Sequence, residues 1–306
     1  MELRQLEYLV AVAEEANFTR AAERVHISQS GVSAQIKQLE HDLGAPLFDR
    51  SGRSARLTPA GVAALRHARS ALASVDAVRQ AVDEVNGLIR GKLVVGMVTA
   101  CTVTPLFDAL STFHRSHPGV EITLLEDTSD RLVDRLRAST IDVALVGTSG
   151  TTPPGMDAHE IAREPLVAAM TADHPLSKQP RVTLLELADY SVVSLPIGTG
   201  VRTVFDEACT AMGIRMEIAF QAGAPTAIAD LAIRGLGVAI LSESMATQHS
   251  PWLTARPIEG INTESVLSLV WTPAKNPARQ QLIHHCRRAF SHPRPTPASE
   301  PELATP

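Results

Sequence analysis

Between residues 91 and 290 the chain alternates short β-rich runs with amphipathic helical segments, and that alternation limits the fold more than any other feature. The runs KLVVGMV, VEITLLE, IDVALVG, LVAAM, SVVSL, EIAF, GVAIL and VLSLVW each have the length and composition of a buried strand. Helical patterns stand among them near 105–116, 130–138, 200–212, 225–234 and 277–288. A strand that feeds a helix meets its next neighbour as a parallel partner, so the pattern predicts α/β units with mostly parallel sheets. Two stretches, GTSGTTPPGMDAHEIA at 147–162 and PIEGINTE at 257–264, read as crossovers between two such bodies. The middle piece is then an insertion in the outer one. This places subdomain I at 91–162 and 265–290 and subdomain II at 163–264.

Residues 1–58 follow a different, all-helical pattern. Leu6, Leu9, Val10 and Ala13 give the first helix one apolar face. In NFTRAAERVH either Asn17 or Thr19 is placed to cap a second, short helix. Ser28 caps a third within ISQSGVSAQIKQLEHDLG. On a helical wheel Val32, Ile36, Leu39 and Leu43 fall in one sector and form the expected buried face. Ser30, Ala34, Lys37 and His41 lie opposite, with Ser33 and Gln38 on the flanks and Gln29 at the start.

Small side chains on that outer face permit close approach to a major groove. Hydroxyls and amides can read base edges or hold phosphates, and the helix N-terminus favours phosphate oxygens. Such a face alone is more often merely solvated. It gains meaning from its neighbours: a capped helix pair, then a tight turn carrying Arg50, Arg53 and Arg56 around Gly52, which reads as a wing. A single long helix follows at 59–90, with Pro59 in its first turn. Its stripe of Leu65, Leu72, Val75, Val78, Val82, Val85 and Ile89 has no short partner nearby in sequence, which points to pairing with a second copy.

Composition excludes several classes. The formal net charge of −5 offers no global attraction to nucleic acid or an anionic membrane, so any such binding is local. Cys101, Cys209 and Cys286 are dispersed, and no CxxC occurs. This predicts free thiols in a reducing cytoplasm rather than a disulfide framework or zinc knuckle. The N-terminal apolar run is broken by Glu14 and Glu15, unlike a signal peptide, and no run approaches the roughly 18 residues of a membrane span. The tail, 291–306, is proline-rich and poor in apolar groups, and is expected to be disordered. No metal or cofactor is expected. His284, His285 and Cys286 are adjacent on a helix and point apart, and GLG at 235–237 reads as a helix C-cap. No hydrolase or nucleotide-binding motif appears, so an enzyme is not indicated.

The run LRQLEYLVAVAEEANFTRAAERVHISQSGVSAQIKQLEHDLGAPLFDR, with RLTPAG after it, resembles the N-terminal region of LysR-type transcriptional regulators. The resemblance covers about 1–290. It implies a winged helix-turn-helix, a linker helix, and an effector domain similar to type 2 periplasmic binding proteins. By that resemblance Thr19, Arg20, Gln29, Ser30, Ser33, Lys37, Arg50 and Arg53 match positions at the DNA. Thr99, Ala100, Cys101, Thr102, Thr128, Pro196, Ile197, Gly198, Thr199 and the loop before Pro225, with Thr226, match effector-contact segments. Arg202 is the nearest basic residue for an acidic ligand. Ser30 and Ala34 depart from the proline and arginine common in the family, which alters operator preference.

The implied partners are double-stranded DNA, a small carboxylate-bearing effector, a second copy of the chain in a dimer of dimers, and RNA polymerase. Two alternatives stand beside this one. A solute-binding protein without DNA function would explain only 91–290. A thiol-switched regulator would use Cys101 and Cys209.

Overall fold

The computed structural model describes residues 1–49, 54–85, 89–99, 103–274 and 276–291. Two compact units divide the chain, the main boundary falling near residue 88, and each has its own apolar core. The expectations for Arg50, Arg53, Gly87, Ala100, Cys101, Thr102 and the tail beyond Ser291 lie outside the described residues.

The first unit contains α1 (Leu3–Glu15), α2 (Phe18–Arg24), α3 (Gln29–Leu43), the two-residue strands β1 (Phe48–Asp49) and β2 (Arg56–Leu57), and α4 (Pro59–Val85). Asn17, not Thr19, caps α2: its Oδ1 accepts from the amides of Thr19 at 2.8 Å and Arg20 at 3.2 Å. Ser28 Oγ accepts from Gly31 N at 3.1 Å and starts α3. Between the helices His26 turns the chain with φ +56°. Val32, Ile36 and Leu39 are fully buried against Leu9 and Val12. Leu43, expected on the same face, is 46 % exposed, because α3 ends at the left-handed Gly44 just beyond the core.

The wing is held to α3 and α4 by specific bonds. Glu40 Oε1 accepts from the amides of Leu47 at 2.8 Å and Phe48 at 3.2 Å. Thr58 donates to Pro46 O at 2.7 Å and accepts from Gly61 N at 3.0 Å, which opens α4. β1 and β2 pair antiparallel. A Cβ on Gly61 would lie 2.0 Å from the carbonyl oxygen of Leu47, so only glycine lets α4 pass the wing. Gly61→Ala is therefore expected to force backbone apart and cost about 1–3 kcal/mol. A thermal melt of the variant checks this, and an unchanged transition would count against it.

The second unit contains two sheets. β3 (Gly91–Val98), α5 (Thr104–Ser116), β4 (Val120–Asp127), α6 (Ser129–Arg137), β5 (Val143–Thr148) and β6 (Asp157–Glu164) come first. Then come β7 (Leu166–Met170), a 3-10 turn at Pro175–Lys178, β8 (Val182–Thr183), α7 (Leu184–Leu187), β9 (Val192–Ser194), α8 (Gly200–Ala211) and β10 (Ile218–Gln221). α9 (Pro225–Ile233), β11 (Val238–Ser242), α10 (Glu243–Thr247), β12 (Thr254–Glu259), β13 (Ser265–Trp271) and α11 (Pro277–Ser291) complete it. The strand orders are β4-β3-β5-β13-β6 in one sheet and β10-β9-β11-β7-β12-β8 in the other. Each sheet with its helices forms one lobe, and the chain crosses between lobes from β6 to β7 and from β12 to β13.

Two expectations fail here. The sheets are mixed rather than mostly parallel: β13 runs antiparallel to β5 and β6, and β7 antiparallel to β11 and β12. The stretch 147–162 is not all crossover, because β6 occupies its end and continues to Glu164, and β12 reaches into 257–264. β6 is a polar edge strand and β12 carries Pro257, so neither has the apolar run of a central strand. A strand that returns directly across a lobe boundary, without a helix, meets its neighbour antiparallel.

Candidate DNA-reading face and effector cavity

With Val32, Ile36 and Leu39 turned inward, α3 presents an exposed face. Gln29, Ser30, Ala34 and Lys37 are exposed on it and Ser33 is half-buried at its flank. Thr19 is exposed at the start of α2 and Arg56 is exposed in the wing. Arg20 is exposed too, but its guanidinium is engaged with Glu15, bonding the backbone carbonyl and lying 3.5 Å from the carboxylate. Arg24 pairs with Glu14 at 2.8 Å. The sequence pattern did not show these acidic partners, because α1 brings them to α2 only through the fold.

In the second unit a cavity of about 410 Å³ lies between the lobes. Its lining includes the first residues of three helices: Thr104 and Pro105 of α5, Gly200 and Val201 of α8, and Pro225 and Thr226 of α9. None of these helices has a side-chain cap. Thr199, at the cap position of α8, donates its hydroxyl to Pro196 O at 2.8 Å instead. No side-chain oxygen covers these helix starts, but Pro105 and Pro225 have no N–H and the amides of Leu106 and Ala227 bond the carbonyls of Val103 and Ala224, so α8 offers the fullest set of open amides. Two contacts close the lobes beside the cavity. Asp130 N donates to Gly198 O at 3.2 Å, and the backbone of Gly147 passes against that of Gly200. Ser129 Oγ accepts from Gly147 N at 3.0 Å.

Of the expected effector residues, Thr99, Thr128, Pro196, Thr199 and Thr226 line this cavity. Ile197 and Gly198 do not. Ile197 is 71 % exposed, and Gly198, at φ +88°, turns the loop so that its own backbone meets Thr128 and Asp130. Arg202 also needs correction. It is buried at 8 % exposure, and its Nε donates to both carboxylate oxygens of Asp206 at 2.8 Å. Its Nη1 reaches Leu195 O and the side chain of Gln221, each at 3.4 Å. The carboxylate one turn along α8 claims the guanidinium, so it serves the core of the lobe and not the cavity. Sequence reasoning missed Glu164, Ser242, Ser244, Met245, Gln248 and Ser265, which reach the cavity from β6, β13, the end of β11 and the α10 segment.

The described thiols are poorly suited to switching. Burial, with help from Asp206, pushes Cys209 up to about 11, and burial pushes Cys286 up to about 12. Both are therefore held mainly as thiols near neutral pH, which disfavours oxidation. Among the described residues no helix is long and apolar enough to cross a membrane, and no cluster of His, Cys, Asp or Glu could hold a metal ion.

A helix-turn-helix with a wing and linker helix, followed by two α/β lobes around a cavity, defines a DNA-binding regulator with an effector domain. Residues 3–62 match the family described as bacterial regulatory helix-turn-helix protein, lysR family, and residues 86–291 match the LysR substrate binding domain. The chain belongs to the LysR family of transcription regulators, which are not enzymes.

Among its relatives is the transcriptional dual regulator GltC of Bacillus subtilis (strain 168), 33 % identical over 85 % of this chain and 87 % of that protein. Another is the HTH-type transcriptional regulator YnfL of Escherichia coli (strain K12), 33 % identical over 95 % and 99 %. Among solved structures, full-length CbnR complexed with its target DNA aligns with a TM-score of 0.57 at 28 % identity, covering 94 % of this chain and 100 % of that one. A full-length OxyR variant from Pseudomonas aeruginosa shares the fold with a TM-score of 0.72 at 24 % identity, covering 95 % of each chain.

Proposed function

We propose that this regulator senses a small carboxylate in the cavity between its lobes, and that binding there changes how it engages its operator. The observation that carries the reading is the convergence of three uncapped helix starts on one cavity. The aligned peptide dipoles of the three helices, and the open first amides of α8, favour an anion. Thr99, Thr128, Pro196, Thr199 and Thr226 supply the surrounding contacts. On the DNA side, Gln29, Ser30 and Ser33 read bases, while Thr19, Arg20, Lys37, Arg50 and Arg53 hold phosphates. The effector must bind one arrangement of the lobes better than the other, since only differential affinity shifts an equilibrium. The shift is read out through the spacing of DNA-binding heads and so through DNA bending.

A melting-temperature screen of the full chain against small carboxylates tests the reading. At least one should raise the transition and alter the footprint on operator DNA. If no carboxylate does so while uncharged analogues do, the anion assignment falls.

Homo-oligomerisation, as a dimer of dimers, belongs to the same proposal. Val78 is 65 % exposed on α4, an apolar side chain that a second copy would cover. Val78→Asp is expected to convert dimers to monomers at micromolar concentration by light scattering, because a charge would enter an apolar seam. A persisting dimer would remove α4 from the interface.

A further inference from the structure

The lining of the cavity is not uniform. The helix starts form one part of it. Another part lies at the crossovers between lobes, where Glu164 of β6 pairs in register with Ser265 of β13 and joins Ser244 and Gln248 of the α10 segment in the lining. Glu164 is half-buried there and is the one charged side chain among the described lining residues. Its Oε2 accepts from Ser244 N at 3.0 Å. Among the described residues its second oxygen has no hydrogen-bond donor. No cation among the described residues joins it: the adjacent Arg163 turns away to Glu160 at 2.6 Å, and Arg202 is held by Asp206.

A carboxylate on the wall of a largely apolar cavity, without a cation, keeps a strong acceptor directed at whatever enters. A hydroxyl or ammonium can satisfy it. A second carboxylate cannot, because like charges in a poorly solvated site repel.

We infer that the crossover part of the cavity is an acceptor subsite, so that the effector is a monocarboxylate bearing a hydroxyl or amino group at its far end, and dicarboxylates are excluded. This rests on the carboxylate reading above. The alternative is that Glu164 serves only to tie β6 to the start of α10.

Calorimetric titration of the full chain with four classes of matched acid separates these readings. The probes are cyclohexanecarboxylate, its hydroxy and amino derivatives substituted at the third or fourth ring carbon, and the corresponding dicarboxylates. The wild type should bind a hydroxy or amino acid about tenfold more tightly than the unsubstituted acid, as expected for one hydrogen bond to a charged group. It should not bind the diacid. Glu164→Gln keeps an acceptor for Ser244 N but removes the charge. It should narrow the preference for the amino acid and admit the diacid, and Glu164→Leu should remove the preference altogether. If the acids bind but their order is flat in the wild type, or unchanged in both variants, the subsite is overturned while the carboxylate reading stands. If none of the acids binds, the carboxylate reading falls and takes the subsite with it.

Discussion

Gly200→Val is expected to weaken effector binding about 5- to 150-fold while leaving the operator footprint of the effector-free protein in place. A Cβ on Gly200 would lie 2.5 Å from the carbonyl carbon of Gly147 and 2.7 Å from Thr148 N. Both are backbone atoms of β5, so no side chain can swing aside. The clash falls where the lobes meet, next to the Asp130–Gly198 hydrogen bond and the Ser129–Gly147 bond. The lobes must part, and the helix start of α8 moves off the cavity. Overpacking of this kind costs about 1–3 kcal/mol, enough to reduce affinity for the closed arrangement about 5- to 150-fold.

The matched control is Gly147→Ala. Its Cβ would meet the Cα and N of Gly200 at 3.4 Å, an ordinary contact, so this variant should respond nearly as the wild type does. Titration with the carboxylate that most raises the wild-type melting transition checks both. A normal response in Gly200→Val would mean that the closed lobes are not the binding arrangement.

Much of this architecture was legible because it rests on local rules. The helices α5, α6, α8, α9 and α11 all begin within a residue of the apolar and capping signals that predicted them. Ser28 caps α3 as its residue type demands, and Val32, Ile36 and Leu39 turn inward as their spacing demands. These features depend on a few neighbouring residues. The antiparallel strands do not. β6 reads DAHEIARE, with little apolar character, and becomes a strand because β13 offers it a paired edge from a segment 100 or so residues away.

The candidate site shows the same limit. The threonine-rich loops after β3 and β4 announce themselves, since a loop entering a helix start is a recognisable local pattern. Glu164 and Gln248 carry no such signal. One ends an unremarkable polar strand and the other follows a short helix, and only the crossing of the chain between lobes brings them to the cavity. Arg202 failed for the opposite reason. Its position near the loop was legible, but its partner Asp206 one turn away decides its direction, and a buried guanidinium takes the nearest carboxylate. Acidic partners for Arg20 and Arg24 were equally hidden, being supplied by the end of α1.

Ser33→Asp is expected to eliminate specific operator binding on the order of 10³-fold at physiological salt, because juxtaposed like charges at an interface cost several kcal/mol. Ser33 sits half-buried at the flank of the exposed face of α3, between Lys37 and the buried Ile36 on the wheel, and is not itself part of the Val32, Ile36 and Leu39 face. The core of the head is untouched, so circular dichroism and the melting transition should match the wild type. In the reading proposed here this side chain enters the major groove, where a carboxylate faces phosphates on both ridges and holds back cations whose release drives binding.

Lys37→Ala supplies the contrast. It should weaken specific and random duplexes alike and flatten the salt dependence by about one unit, the mark of a single lost phosphate contact. Ser33→Ala should instead reduce discrimination by about 1–3 kcal/mol with little change in the salt slope. Filter binding across a salt series on operator and scrambled DNA separates the three outcomes. A Ser33→Asp protein that still protects the operator would move the base-reading surface off α3 altogether, since no substitution on that face carries a larger electrostatic cost than a carboxylate among phosphates.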